Sequence, residues 1–157
     1  MELGFFDRFA DPFLKTANGK GVFLSGIVLG LVAAQQVERG SLSDAPLFKQ
    51  ITFGRMQTRD IRRLLARVPE LSKAYRLKNA GRVAQLLGMA GNCFLEGKGE
   101  EMGVNGNFTF AVAFTNAWRY YKEIFPKDTT ETPAIAELES EESGAADNQL
   151  LLIEGEN

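Results

Sequence analysis

The stretch GVFLSGIVLGLVAAQQV, residues 21–37, carries no charged side chain, and its reading decides the fold. A helix needs about 20 consecutive apolar residues to span a bilayer. This run has 17 and closes on Ala33, Ala34, Gln35 and Gln36, so it is read as the central helix of a soluble bundle rather than a membrane span. Gly26 and Gly30 form a small-xxx-small pair, which in a bundle lets a second helix approach closely.

Upstream, MELGFFDRFADPFLK has acids where a signal peptide has its basic region. It is expected to form a short amphipathic helix with Leu3, Phe5, Phe6, Phe9, Phe13 and Leu14 apolar, ending near a turn at Asn18 and Gly19. The central helix then runs from about Lys20 to Arg39. Gly40, Ser41 and Pro46 break the chain, and residues 40–57 form a connector that Leu47, Phe48, Ile51 and Phe53 pin to the core. From Thr58, Ile61, Leu64, Leu65 and Val68 recur at i, i+3, i+4 and i+7, a helix over 58–68 with one apolar stripe. Pro69 begins a short helix whose Leu71, Ala74 and Tyr75 are expected to face inward.

Asn79 caps the next expected helix, with Val83, Leu86, Leu87, Ala90 and Phe94 as its stripe and Ala84, Gly88 and Gly91 allowing close packing. Gly97, Gly99, Gly103 and Gly106 make a loop before a last helix over 107–125. There Phe110, Phe114, Ala117, Trp118, Tyr121 and Phe125 form an aromatic core stripe, which Pro126 ends. Little in the chain alternates with period two. The expected class is all-α, a five- to six-helix bundle over residues 1–127. Residues 128–157 change to Glu, Ser, Thr, Ala and Pro, a composition expected to form a disordered acidic tail, with Leu150 to Ile153 its one apolar patch.

Charge divides the same way. Residues 1–127 carry all 18 basic groups and 11 acids, a balance of +7, whereas residues 128–157 carry nine acids and no base. Within the body the excess sits between Arg55 and Arg82, where seven Arg and two Lys face only Asp60 and Glu70. At about 100° per residue, Arg59, Arg62, Arg63 and Arg67, with Arg55 if the helix reaches it, fall opposite the apolar stripe, and Lys73 and Arg76 extend that surface. Arg59, Arg63 and Arg67 follow one another at i+4. Like charges at this spacing cost a few tenths of a kcal/mol per pair, a conflict that a polyanion removes. Guanidinium groups also suit phosphate, since each can donate two parallel hydrogen bonds. The pattern points to nucleic-acid contact.

Other chemistry finds little support. The chain has no histidine, which removes imidazole metal ligands, Ser/His/Asp and Cys/His nucleophilic devices and the commonest general acid or base. Cys93 stands alone in an apolar run, so it is read as a packing residue suited to a reducing cytoplasm. Neither Gly19-Lys20-Gly21 nor Gly97-Lys98-Gly99 has phosphate-loop spacing, and Asn107-Phe108-Thr109 is taken as an accidental glycosylation sequon. Glu100 and Glu101 lie in the glycine loop without a partner to tune them. No catalytic residue, cofactor or metal is expected. Among the aromatics, Tyr120, beside Arg119 and near Lys122, is the one read as outward and able to stack a base.

The order of these elements carries a resemblance: FLSGIVLGLVAAQQ, then APLFKQITF, TRDIRRLLARV and FTFAVAFTNAWRYYKEIF. Together, over about residues 20–126, they resemble the C-terminal helical domain of type I-B CRISPR large subunits, a domain also made separately as the small subunit of the Cascade effector complex. The resemblance implies a non-catalytic bundle repeated along the complex beside guide RNA and target DNA, helping to hold the displaced strand. Its partners would be the large subunit, the backbone subunits and further copies of itself, with no membrane. On matching positions the role falls on Arg59, Arg62, Arg63 and Arg67, continued by Lys73, Arg76, Lys78 and Arg82. Met1 would correspond to an internal start within a large-subunit gene, and the acidic tail departs from the pattern. Two other readings stay open, a helix-turn-helix regulator and a structural adaptor. Against the first, the outward face offers almost no Asn, Gln or Ser to read base edges.

Overall fold

Thr16 starts the central helix: its Oγ1 accepts a hydrogen bond from the Gly19 N–H at 3.0 Å. The structure, a computed structural model that describes residues 3–98 and 100–127, shows helix α1 running Ala17–Gln36. It is long and apolar enough to cross a membrane by length and composition, but most of it is buried inside the bundle. Every residue from 21 to 33 is buried, as a helix apolar on all sides requires.

Around α1 stand α2 (Pro46–Lys49), α3 (Thr58–Ala66), α4 (Val68–Ala74), α5 (Ala80–Glu96), α6 (Gly103–Thr115) and α7 (Ala117–Ile124). Short 3-10 turns occur at Leu3–Arg8, Pro12–Lys15 and Leu42–Asp44, and the described residues contain no strand. The class is all-α as expected. The helix number exceeds five to six because the connector winds into α2 and the aromatic helix divides at Asn116, whose Nδ2 and N–H both donate to the Val112 carbonyl.

Helices α5, α6 and α7 all pack on α1. Gly26 and Gly30 do what their spacing predicts. A Cβ on Gly26 would lie 2.7 Å from the Ala113 Cβ, and one on Gly30 only 2.4 Å from the Phe114 carbonyl oxygen, so the α6 backbone rests directly against α1. Two aromatic clusters close the core. Phe5, Phe6 and Phe9 gather with Phe23 and Tyr120, while Phe48 and Phe53 gather with Phe110 and Phe114. The connector is therefore pinned, and Gln36 Oε1 accepts from the Leu47 N–H at 2.9 Å where α2 begins.

Several expectations are corrected. The N-terminal helix is two 3-10 turns, and Asn18 and Gly19 lie inside α1 because Thr16 caps it; the Phe13 carbonyl oxygen would be 1.9 Å from a Cβ at Gly19 and leaves room there only for glycine. Ala74, the last residue of α4, and Tyr75, its C-cap, are exposed, and Val68 is the residue of α4 that is buried. Asn79 precedes α5 but makes no side-chain cap, being held at φ 60°. Ala84, Gly88 and Gly91 point away from the core, and a Cβ at either glycine meets nothing within 4 Å. Trp118 is exposed and Tyr120 buried, the reverse of the expectation.

Cys93 is buried as expected, and burial is the main cause that raises its thiol pKa; Glu96 adds to the rise and Lys20 opposes it. The chain divides after Ile124, and only Phe125–Lys127 of the second unit are described. The expected acidic tail at 128–157, including Leu150 to Ile153, lies outside the described residues.

Candidate nucleic-acid interface

Helix α3 is fixed at its start by three side chains. Asp60 Oδ2 accepts from the Gln57 N–H at 2.9 Å, and Thr58 Oγ1 donates to the Glu100 carbonyl at 3.0 Å. Asn107, on α6, clamps Met56 by accepting from its N–H at 2.8 Å and donating to its carbonyl at 3.1 Å. The supposed sequon thus has a structural role: Asn107 is a bracket, and Thr109 is buried. With Ile61, Leu64, Leu65 and Val68 buried, the 3.6-residue period leaves Arg59, Arg62, Arg63 and Arg67 exposed on the other side.

Asp60, the one acid of α3, is engaged in the cap. Among the described residues the ion pairs are those of Glu123 with Arg8 and with Arg119, so no carboxylate pairs with Arg59, Arg62 or Arg63. Arg62 lies 5.8 Å over the Phe94 ring, and Arg67 donates to Gln50 Oε1. Both contacts hold a guanidinium in place without neutralising it.

The remaining predicted residues, Arg55, Lys73, Arg76, Lys78 and Arg82, are also exposed. Arg55 sits in the turn after Gly54. Arg76 occupies the left-handed region at φ 49°, where the Leu77 N–H reaches back to the Ser72 carbonyl at 2.9 Å to close α4. Glycine usually fills such a position, so this charge is carried against backbone preference. Arg82, in the first turn of α5, donates to Gln85 Oε1 at 3.4 Å.

The nine residues do not converge on one cavity. Arg55 and Arg59 border a cleft of about 500 Å³ shared with Glu100 and Glu101. Arg62 borders an apolar groove with Leu65, Leu87 and Leu95. Arg76 shares a hollow with Tyr75 and Arg39, and Lys78 shares another with Trp118. Charge distributed over separate concavities suits an extended polyanion better than a small ligand. Glu100 and Glu101 temper the field around Arg55 and Arg59, which leaves Arg62 and Arg63 as the less opposed pair. Sequence reading missed this opposition, and it missed Arg39, because both depend on which segments meet in space. Among the described residues, no three His, Cys, Asp or Glu side chains come together to hold a metal.

A comparison with protein families matches residues 2–117 to the family described as CRISPR-associated protein TM1802 (cas_TM1802) C-terminal domain. The match supports the resemblance to the C-terminal domain of a large CRISPR subunit. No curated protein and no solved structure gives a match.

Proposed function

The chain belongs to the CRISPR-associated TM1802 C-terminal-domain family, and from that premise we propose that it is a non-catalytic subunit of a type I RNA-guided surveillance complex that holds nucleic-acid backbone. In this reading it acts as the separate small subunit, beside the large and backbone subunits and further copies of itself. It steadies the R-loop while the guide pairing reads the sequence. The observation that carries the proposal is the outward face of α3, where Arg59, Arg62 and Arg63 are exposed and unpaired among the described residues. Such a face supplies charge and donors to phosphate, the part of a nucleic acid that is the same in every sequence.

Affinity for single-stranded DNA measured against salt concentration tests the reading. Binding should be weak and indifferent to sequence, and Arg63→Ala should lower it for all sequences alike while reducing the salt slope by about 0.7 for each phosphate no longer neutralised. Thermal stability should be nearly unchanged, because Arg63 is exposed. Affinity for one duplex sequence above all others would support the regulator reading instead. A second arm reconstitutes the effector complex with and without this chain. Several weak faces held in line raise the effective concentration at one strand, so omission should shorten R-loop lifetime.

A further inference from the structure

Tyr120, the aromatic that sequence reading turns outward, is buried with its ring 4.8 Å from Phe23 and makes no platform for a ligand. Its neighbour Trp118 is 45% exposed and is buttressed by Tyr121, the two rings 5.3 Å apart and nearly perpendicular. A large aromatic left in solvent yet held in a defined orientation is what sequence-tolerant recognition of unpaired bases uses, because every base has a π-face.

Charge and hydrogen-bonding groups stand beside it. The hollow that Trp118 and Tyr121 border is also lined by Gln35, Lys78 and Asn79. Among the described residues, the Lys78 ammonium and the Gln35 and Asn79 amides make no hydrogen bond, so all three are available to a ligand. At about 50 Å³ the hollow has room for only a few water molecules. A base cannot enter it and would have to lie across its mouth, against the indole. Lys78 belongs to the same basic run as the α3 arginines, although Trp118 is 40 positions further along the chain. Only the fold puts this lysine and the exposed indole at one place.

We propose that Trp118 stacks an unpaired base of a single strand whose neighbouring phosphate is held by Lys78. The inference rests on the nucleic-acid reading above and adds to it a contact with the base rather than the backbone. That contact is indifferent to which base is present.

Trp118 is the chain's one tryptophan, so its intrinsic fluorescence reports directly on the site. The full-length protein is titrated with a short single-stranded oligodeoxynucleotide and with its abasic counterpart of equal charge. The expected result is quenching by the base-bearing strand only, and an affinity for it about tenfold above that for the abasic strand. Trp118→Ala should remove this preference without changing abasic binding, whereas Trp118→Phe should retain part of it. Far-UV circular dichroism confirms that each variant is folded, and the phenylalanine variant keeps the ring contact with Tyr121 should the alanine variant fail to fold. Lys78→Ala should weaken both strands alike. Equal affinity for the two strands with unchanged fluorescence would overturn the stacking while leaving backbone binding intact. Failure of the protein to bind either strand at low salt would remove the nucleic-acid reading and the stacking with it. Fluorescence that responds to the other complex subunits, and not to the oligonucleotide, would reassign Trp118 to a protein contact and likewise overturn the proposal.

Discussion

Gly26 and Gly30 on α1 and Gly88 and Gly91 on α5 are two glycine pairs at helical spacing, and they meet opposite surroundings. Gly26 and Gly30 on α1 are pressed against the backbone of α6, closer than any side chain would permit. Gly88 and Gly91 on α5 face open space. Both pairs weaken their helix, by about 0.8–1.0 kcal/mol per glycine relative to alanine. On α1 that cost is offset by the dispersion contacts of two closely packed helices. On α5 no contact within the described residues offsets it. Small residues at helical spacing therefore show that a helix can be approached, not that it is.

Substitution at Gly30 should break the comparison hardest. Gly30→Val places side-chain atoms where the Phe114 carbonyl lies, and the α6 backbone must shift to admit them. Overpacking of this kind costs about 1–3 kcal/mol, read from the urea midpoint. A midpoint equal to that of the natural protein would show that α6 can move aside freely, and the tight seam would lose its energetic meaning.

Gly91→Ala is the complementary change and should act in the opposite direction. With nothing near the added methyl, only the backbone term remains, and the protein should gain about 0.8–1.0 kcal/mol. Loss of stability in the isolated chain would mean that something does approach α5 there.

The smallest effect is expected at the surface, where contacts are visible but water competes. Glu123 pairs with both Arg8 and Arg119, and the hydrogen bond from Arg8 is the chief cause that holds its carboxyl pKa below the ordinary value, against a burial effect that raises it. A lowered carboxylate contributes stability above its unfolded pKa and loses it as pH falls through the folded one. Glu123→Gln should therefore cost about 0.2–1 kcal/mol at neutral pH and progressively less in acid. A difference between the two proteins that persists unchanged at low pH would show that the carboxylate's charge is not the cause.

Much of the candidate interface is legible in the sequence. Ile61, Leu64, Leu65 and Val68 repeat with the helical period, so burying them dictates that Arg59, Arg62, Arg63 and Arg67 turn outward. Less legible were the acids that oppose part of that face. Glu100 and Glu101 come to the Arg55 and Arg59 cleft only because Thr58 and Asn107 tie the start of α3 to the segment around α6. No local pattern encodes such a meeting.

Trp118 and Tyr120 show where the boundary lies. Relative to Tyr121, Trp118 stands about 60° to one side and Tyr120 about 100° to the other, so helical geometry alone favours burying Trp118. The opposite occurs because Phe5, Phe9 and Phe23 gather on the Tyr120 side and cover it. By itself the sequence determined the all-α class, the central place of α1 and the outward arginines. All of these follow from residue type and spacing within a single helix. Only the tertiary structure decided which edge of an aromatic stripe is covered, which glycines are used and which distant charges meet. Those depend on where other helices end and how they lean, which periodicity within one helix does not record.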